Sequence, residues 1–424
     1  MILWILFSSA FSILQGVVIM LSESVRQYVK ATVPVLKESG VALTTHFYAR
    51  MFKHNPELKQ IFNQGHQQGG HQQTALAMAV LAYAEHIDDP SVLAPVLNLV
   101  SNKHASLGIR AEHYPIVGHH LLESIKEVLG DAATDDLISA WGEAYGQLAD
   151  MLIAGERKLY AEATQILGGW SGWRSFRVQS KQVESEEITS FHLHPLDGGE
   201  TPHYKAGQYI SVRVYAPSFD LMQPRQYSLS NAPNGEYFRI SVKRESAQDA
   251  RPAGAVSTLL HHDIHVNDII DVAPPMGDFH LHTERQSPVV LISGGVGFTP
   301  LIAMLDQLTD AKDPRQVRFV HGCRYGKVHA MKDHVQAVIK QHANVQSLVF
   351  YENPKAEDVL GEDYDYAGRI DLGAIKDQIL LPDADYYLCG PFEFMRAQKS
   401  ALIELGISPD HIFAEVFGTG GFTL

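Results

Sequence analysis

Val289-Val290-Leu291-Ile292-Ser293-Gly294-Gly295-Val296-Gly297-Phe298-Thr299-Pro300 is an apolar run, a glycine-rich turn and the opening of a helix near Thr299. The run is short and flanked by turn residues, which suits a buried strand. Glycines at Gly294, Gly295 and Gly297 let backbone come close to a ligand, and a helix N-terminus favours the negative charge of a pyrophosphate. Pro300 stands where the last glycine of G-x-G-x-x-G would be, so the turn departs from the ordinary dinucleotide fingerprint.

Downstream, Val317–Val320, Ser347–Tyr351, Tyr386–Leu388 and Ile412–Phe417 read as further strands separated by helical stretches. That alternation predicts a parallel sheet with crossover helices over residues 283–424. Cys389-Gly390-Pro391 ends one of these strands, where parallel sheets bind ligands. Cys389 is read either as a small buried residue or as a neighbour of a nicotinamide ring.

Upstream the period changes to two. Phe176 and Val178, then Ile210, Val212 and Val214, then Phe238, Ile240 and Val242 alternate as half-buried strands do. With turns at Asp197-Gly198-Gly199 and Pro233-Asn234-Gly235, residues 172–282 predict an antiparallel barrel. Arg225-Gln226-Tyr227-Ser228 lies within it. A guanidinium can pair with pyrophosphate, a tyrosine can flank a flavin ring and a serine can bond a ring nitrogen. Gly207-Gln208-Tyr209 precedes this run, and Gly254-Ala255-Val256-Ser257-Thr258 can open a helix onto the same pyrophosphate. Pro274-Pro275-Met276-Gly277-Asp278-Phe279 ends the barrel.

Gly168-Gly169-Trp170-Ser171-Gly172 reads as a linker, and residues 20–168 before it as helices. Leu93, Leu97, Val100 and His104 share one helical stripe; an imidazole there is a core residue or a metal ligand. Tyr145, Ala149, Leu152 and Glu156 share another, so Glu156 is a carboxylate aimed where apolar groups go, or one reaching solvent at a helix end. Tyr48 follows Phe47, and Gln72 and Leu76 are an i, i+4 pair on the next long helix. A phenol and an amide can both donate to a bound oxygen molecule.

The 424 residues call for two or three cores. A net charge of −14 argues against nucleic acid as a partner, and two cysteines, Cys323 and Cys389, exclude a disulfide framework. Met1–Leu21 carries no charged residue. Residues 1–19 are read as preceding the true start at Met20, or as a membrane anchor, or as a cleaved signal. The first reading predicts a cytoplasmic protein, the second a membrane-associated one.

The ordered set His46-Phe47-Tyr48, Phe62, Gln72, Leu76, Lys103-His104, Tyr114 and Glu156 resembles the globin domain of flavohaemoglobins along its whole length. The barrel and the last third resemble the ferredoxin–NADP reductase type of flavin and nicotinamide module. The ending Glu415-Val416-Phe417-Gly418 resembles the family's flavin-contacting segment, although members often carry cysteine where Val416 stands. The resemblance implies three domains in order: all-α globin, antiparallel FAD-binding barrel and α/β NAD(P)-binding domain. It implies haem b with His104 as iron ligand, Tyr114 and Glu156 as relay partners, Phe62 packed on the haem, and Tyr48, Gln72 and Leu76 in the distal pocket. Lys103, Tyr209, Arg225 to Ser228, Gly254, Val256, Ser257, Gly295 to Pro300, Cys389 to Pro391 and Glu415 to Gly418 would bind the cofactors. The implied activity is nitric oxide dioxygenation, with NADH or NADPH reducing FAD, FAD reducing haem, and the oxygenated haem turning nitric oxide into nitrate. The implied protein is a monomer with O2 and nitric oxide as its partners, no obligatory protein partner, and room for a lipid in the distal pocket. Two rivals follow from the same parts: an oxygen-binding or sensing globin that reduces itself, and a haem–flavin electron-transfer reductase.

Overall fold

The computed structural model describes residues 20–247 and 252–417. The 1–19 extension and Gly418 lie outside the described residues. No described helix is long and apolar enough to cross a membrane. The chain forms two compact units, one of residues up to 56, 73–101 and 110–157, the other of 57–72, 102–109 and 158 onward.

Among the described residues, seven α-helices precede the strands: α1 (Glu23–Ala31), α2 (Val33–His54), α3 (Gln64–Gln68), α4 (His71–Glu85), α5 (Ala94–Leu107), α6 (His113–Leu129) and α7 (Asp135–Gln165). The first unit holds α1, α2, α6 and most of α4, α5 and α7. Ser22 caps α1 by accepting from Val25 N at 3.3 Å, and Asn55-Pro56 ends α2. The core is Val29, Phe47, Met51, Tyr83, Ala84 and Ala144. Tyr83 is buried without an unmet hydroxyl: it donates to the Ala144 carbonyl at 2.9 Å and lies 2.7 Å from Gln147 Oε1. Helices α6 and α7 meet closely at Gly118, where a Cβ would come within 2.5 Å of the Tyr145 ring.

In the second unit, β1 (Arg174–Val183), β2 (Ile188–Pro195), β3 (Tyr209–Ala216), β4 (Leu221–Ser228), β5 (Phe238–Lys243) and β6 (Ile269–Val272) form an antiparallel sheet ordered β4-β3-β6-β1-β2-β5. A bridge between Leu229 and Ile240 joins its two ends into a barrel. The alternating residues read from the sequence, from Phe176 and Val178 to Ile240 and Val242, all point into its core. Helix α8 (Ala255–His262) packs Val256 and Leu260 against that core. The Gly168–Gly172 stretch is not a loose linker: Trp170 packs on Phe176 and Phe238, and the Arg174 guanidinium lies 5.3 Å over its ring.

Strands β7 (Val289–Gly294), β8 (Val317–Cys323), β9 (Val345–Tyr351), β10 (Tyr366–Ala367), β11 (Asp385–Gly390) and β12 (Ile412–Val416) form a parallel sheet ordered β10-β9-β8-β7-β11-β12. Apolar clusters on both faces explain the unbroken apolar run of β7. Crossovers are made by α9 (Phe298–Asp310), α10 (Lys332–Gln341), α11 (Lys376–Ile379) and α12 (Phe392–Glu404). The chain leaves β7 toward β8 on one side and returns to β11 on the other, which makes the β7–β11 gap the switch point of the sheet.

Candidate cofactor-binding centres

The glycine turn after β7 sits at that switch point. Gly295 is exposed with φ +54°, a conformation L side chains rarely adopt. Gly297 is pressed so tightly on β11 that a Cβ would fall 2.1 Å from the Cys389 carbonyl oxygen. Phe298, Thr299 and Pro300 are buried in the first turn of α9, and Thr299 Oγ1 donates to Val296 O at 3.1 Å. Cys389, Gly390 and Pro391 follow from β11 to the start of α12. Cys389 is wholly buried and burial drives its thiol far above the ordinary range, so it is a packing residue rather than a nucleophile. The Phe394 ring lies against Gly294 and Gly390 and was not foreseen from the sequence.

At the barrel, Tyr209 opens β3 and pairs with Ser228 at the end of β4. Arg225 is largely enclosed: Nη1 donates to Pro224 O at 2.7 Å, and burial lowers its guanidinium from the ordinary value without discharging it. Tyr227 feels the charges of both Arg225 and Glu245, with burial raising its phenol. Glu245 in turn donates its N–H to Ser257 Oγ at 3.2 Å, and Gly254, the N-cap of α8, lies against its Cβ. Arg225, Tyr227 and the open N-terminus of α8, with Val256 and Ser257 in its first turn, are thus brought together. A half-buried guanidinium and a helix N-terminus without a side-chain cap are both suited to a pyrophosphate, so the residues present fit FAD.

The end of α5 supplies the next group. Asn102 Oδ1 accepts from Gly277 N at 2.9 Å, and Ser106 Oγ accepts from Gln226 Nε2 at 2.8 Å. Ala105 clusters with Tyr209 and Met276. Lys103 and His104 lie between these anchors, so the sequence-assigned iron ligand stands on a helix end fastened to the flavin barrel. Lys103 is electrostatically coupled to Glu415 and Asp278, and burial lowers its ammonium against their pull. Glu415 has one buried oxygen, Oε2, with no hydrogen-bond partner. Burial, reinforced by Asp278 and opposed by Lys103, pushes its carboxyl up to about 8. Val416 completes β12 and Phe417 is exposed beyond it. The segment around Phe62 also belongs here: Gln64 N donates to Gln223 Oε1 at 3.0 Å, and Gly65 lies beside the Arg225 guanidinium. Gln72 accepts a hydrogen bond from Gln67 in the same unit. Asn102 and Ser106 were missed; the signal was their shared face of α5, one turn apart.

In the first unit, Tyr48 is buried on α2, with its ring stacked on Phe52 and edge-on to Phe47. Burial alone raises its phenol, so the hydroxyl keeps its proton as a donor. Leu76 is half-buried on α4. Tyr114 on α6 donates to Glu156 Oε1 on α7 at 2.5 Å, both groups being buried. This removes the reading of Glu156 as a solvent-reaching side chain. A carboxylate and a phenol buried against each other are the kind of pair that can support an iron-binding imidazole, and in the second unit the half-buried His104 imidazole is of the type that can hold a haem iron.

Three family models match in chain order: globin at residues 45–152, the oxidoreductase FAD-binding domain at 175–281 and the oxidoreductase NAD-binding domain at 291–400. The flavohemoprotein of Bordetella parapertussis is 62% identical over 95% of this chain and 100% of its own. That of Chromobacterium violaceum is 60% identical over 94% and 99%. The crystal structure of a Malassezia yamatoensis flavohemoglobin with bound FAD and heme superposes with a TM-score of 0.82, at 32% identity over 94% of this chain and 100% of that one. A Vibrio cholerae FAD/NAD-binding domain of nitric oxide dioxygenase matches 58% of this chain and 98% of its own, with 41% identity and TM-score 0.52. With a globin for haem and modules for FAD and NAD in that order, this chain belongs to the flavohaemoprotein family.

Proposed function

We propose that the chain is a nitric oxide dioxygenase that draws its electrons from NADH or NADPH. The observation that carries this reading is the anchoring of the α5 end, which bears His104, onto Gly277, Gln226 and Tyr209 of the flavin barrel. An iron ligand set into the flavin module suits repeated reduction of the iron by the flavin, which catalysis needs. When bound, haem supplies oxygen binding and FAD splits a hydride's two electrons into single ones.

The chain's own residues do the rest. Arg225 and the N-terminus of α8 would hold the pyrophosphate of FAD, and Tyr209, Gln226, Tyr227 and Ser228 would serve its ring system. Gly295 to Pro300 let the nicotinamide nucleotide approach, with Cys389 to Pro391 forming the floor. His104 would hold the iron, and Tyr114 with Glu156 would serve as its relay, raising the electron donation that favours oxygen chemistry over storage. In the family pattern Tyr48, which keeps its proton, would donate to bound oxygen, Gln72 and Leu76 would line the same pocket and Phe62 would contact the haem. The Vibrio cholerae relative, named for the dioxygenase activity, supports the same reading.

The test is aerobic consumption of nitric oxide with NADH. Fast consumption giving nitrate is expected. Oxygen binding and reductase turnover without nitrate formation would favour a self-reducing oxygen carrier or a plain electron-transfer reductase. His104→Ala should lose haem and nitric oxide turnover while keeping FAD and NADH oxidation by artificial acceptors.

A further inference from the structure

Hydride transfer needs its two reacting atoms about 3–3.5 Å apart, and a misplacement of about 1 Å can cost roughly a hundredfold in rate. In this chain the two partners belong to different layers. The residues proposed for the flavin ring, Tyr209 and Gln226 to Ser228, stand on β3 and β4 of the barrel, whereas the turn proposed for the nicotinamide nucleotide, Gly295 to Gly297, opens α9 of the parallel-sheet lobe. The gap between the two rings is therefore set by how α9 docks on the barrel.

Most of that docking is apolar. Met304 fills the space beside Gly207, where a Cβ would lie 2.6 Å from its methyl group, and Ala206, Phe279 and Leu281 share a core with Leu301, Met304, Leu305 and Leu308 of α9. Apolar burial is non-directional and by itself tolerates sliding. Gln307 Oε1 adds a long contact, accepting from Ala206 N at 3.3 Å. Among the described residues, the charged contact between α9 and the barrel is Asp306 with Arg239 of β5: Oδ2 lies 3.4 Å from Nη2, and each side chain is only 13% exposed.

Both partners are themselves held. Arg239 donates through Nη2 to Ser230 O and through Nε to Ser230 Oγ at 3.2 Å. Ser230 N donates back to Arg239 O at 2.8 Å, and Arg239 N donates to Asn231 Oδ1 at 2.8 Å. Ser230 lies just beyond Ser228, the last residue of β4. On the lobe side, His334 Nε2 of α10 lies 2.6 Å from Asp306 Oδ1, so both carboxylate oxygens are engaged. Asp310, one turn further along α9, feels Asp306, His334 and His342 instead of Arg239. A continuous chain of contacts thus runs from the end of β4 through Ser230, Arg239 and Asp306 to the helix that begins at the glycine turn.

We propose that Arg239 and Asp306 are positioning residues for hydride transfer, fixing α9 on the barrel so that the nicotinamide and flavin rings meet at reacting distance. Neither is among the residues that would hold a cofactor. The inference rests on the nicotinamide reading of the turn after β7.

Anaerobic stopped-flow reduction of the flavin by NADH, in the full chain loaded with haem and FAD, tests it with Asp306→Ala and with Arg239→Met/Asp306→Leu. The double variant replaces the pair by apolar groups, a change that commonly leaves stability unaltered, and it decides the matter if Asp306→Ala does not fold. The limiting rate should fall about tenfold to a hundredfold, while the NADH concentration giving half that rate and the FAD affinity stay within about twofold. The charge-transfer absorption of the reduced flavin with NAD+, which needs stacked rings and no turnover, should weaken in parallel. Asp306→Glu, which keeps the charge, should restore part of both. A limiting rate and a charge-transfer band equal to the parent's overturn the proposal, as does a slower rate accounted for by lost FAD or by weaker NADH binding alone. In either case NADH still bleaches the unaltered flavin, so the nicotinamide reading stands and only the Arg239–Asp306 role fails. If NADH does not bleach the unaltered flavin, both fail together.

Discussion

The Tyr114 hydroxyl donates a 2.5 Å hydrogen bond to the Glu156 carboxylate across the α6–α7 contact. The pair is held from behind: Tyr145 donates to the Tyr114 carbonyl at 2.7 Å, and Gly118 leaves space for the Tyr145 ring. Tyr114→Phe removes the donor while keeping the ring. A hydrogen bond to a charged group contributes about 1.5–3 kcal/mol, so the globin should lose stability by that order. Haem-monitored unfolding of the full chain checks this. Glu156→Gln should also lower the iron–histidine stretching frequency if the carboxylate serves His104. An unchanged frequency would leave Glu156 a structural residue.

Tyr48 supplies a second prediction. Its phenol stays protonated because burial opposes ionisation. Tyr48→Phe removes a donor worth about 1.5–3 kcal/mol to a charged acceptor. Oxygen should dissociate faster by roughly one to two powers of ten, since about 1.4 kcal/mol is tenfold. Stopped-flow measurement at matched haem content decides it. Rates within about twofold of the parent would reduce Tyr48 to a core aromatic.

Arg225 carries the flavin assignment. Arg225→Ala should weaken FAD by about 2–4 kcal/mol if its contact with pyrophosphate is desolvated. Chemically reduced globin should still bind oxygen. Equilibrium dialysis of FAD reads the first effect, and an unaltered affinity would remove Arg225 from the site.

The nicotinamide lobe should be sensitive to acid. His321 is 2% exposed; its Nδ1 lies 2.8 Å from Ser293 Oγ, and its ring stacks on that of His329. Burial pulls His321 down to about 4, and His329 is lowered by burial and then by His321. Both are neutral in the folded protein, while in the unfolded chain they titrate near 6.5. The unfolded state therefore binds more protons below that pH, and stability falls with acid. The contribution of His321 is complete above about 6.5 and is lost as pH drops toward about 4, at about 1.4 kcal/mol per pH unit. His321→Asn should flatten this slope in urea unfolding followed at the flavin. A slope equal to the parent's would show that the ring is not the titrating group.

Sequence reading succeeded where a pattern is local. The two-residue period from Phe176 to Val242 and the apolar run of β7 are imposed by burial on one and on both sheet faces, so each strand displays its own side of the core. Gly297 was singled out for approach to a pyrophosphate, whereas the contact that leaves no room for a side chain there is with the Cys389 carbonyl of β11. Contacts between distant residues were not legible. Asn102 meets Gly277, Gln64 meets Gln223 and Ser106 meets Gln226 at separations of 175, 159 and 120 residues, and no periodicity encodes such pairs. Trp170 was hidden differently. Two flanking glycines suggest flexibility, while the tryptophan between them packs on the barrel core. For Glu156 the helical stripe gave the correct face but not its partner, since Tyr114 lies on another helix.

The account rests on dioxygenation of nitric oxide, and the fate of molecular oxygen tests it most directly. The reduced full-length protein, loaded with haem and FAD, would be charged with oxygen-18 gas and mixed with nitric oxide, and the product analysed by mass spectrometry. Nitrate carrying both atoms of the labelled oxygen molecule is the predicted product. Nitrite, nitrous oxide, or nitrate without the paired label would contradict the assignment.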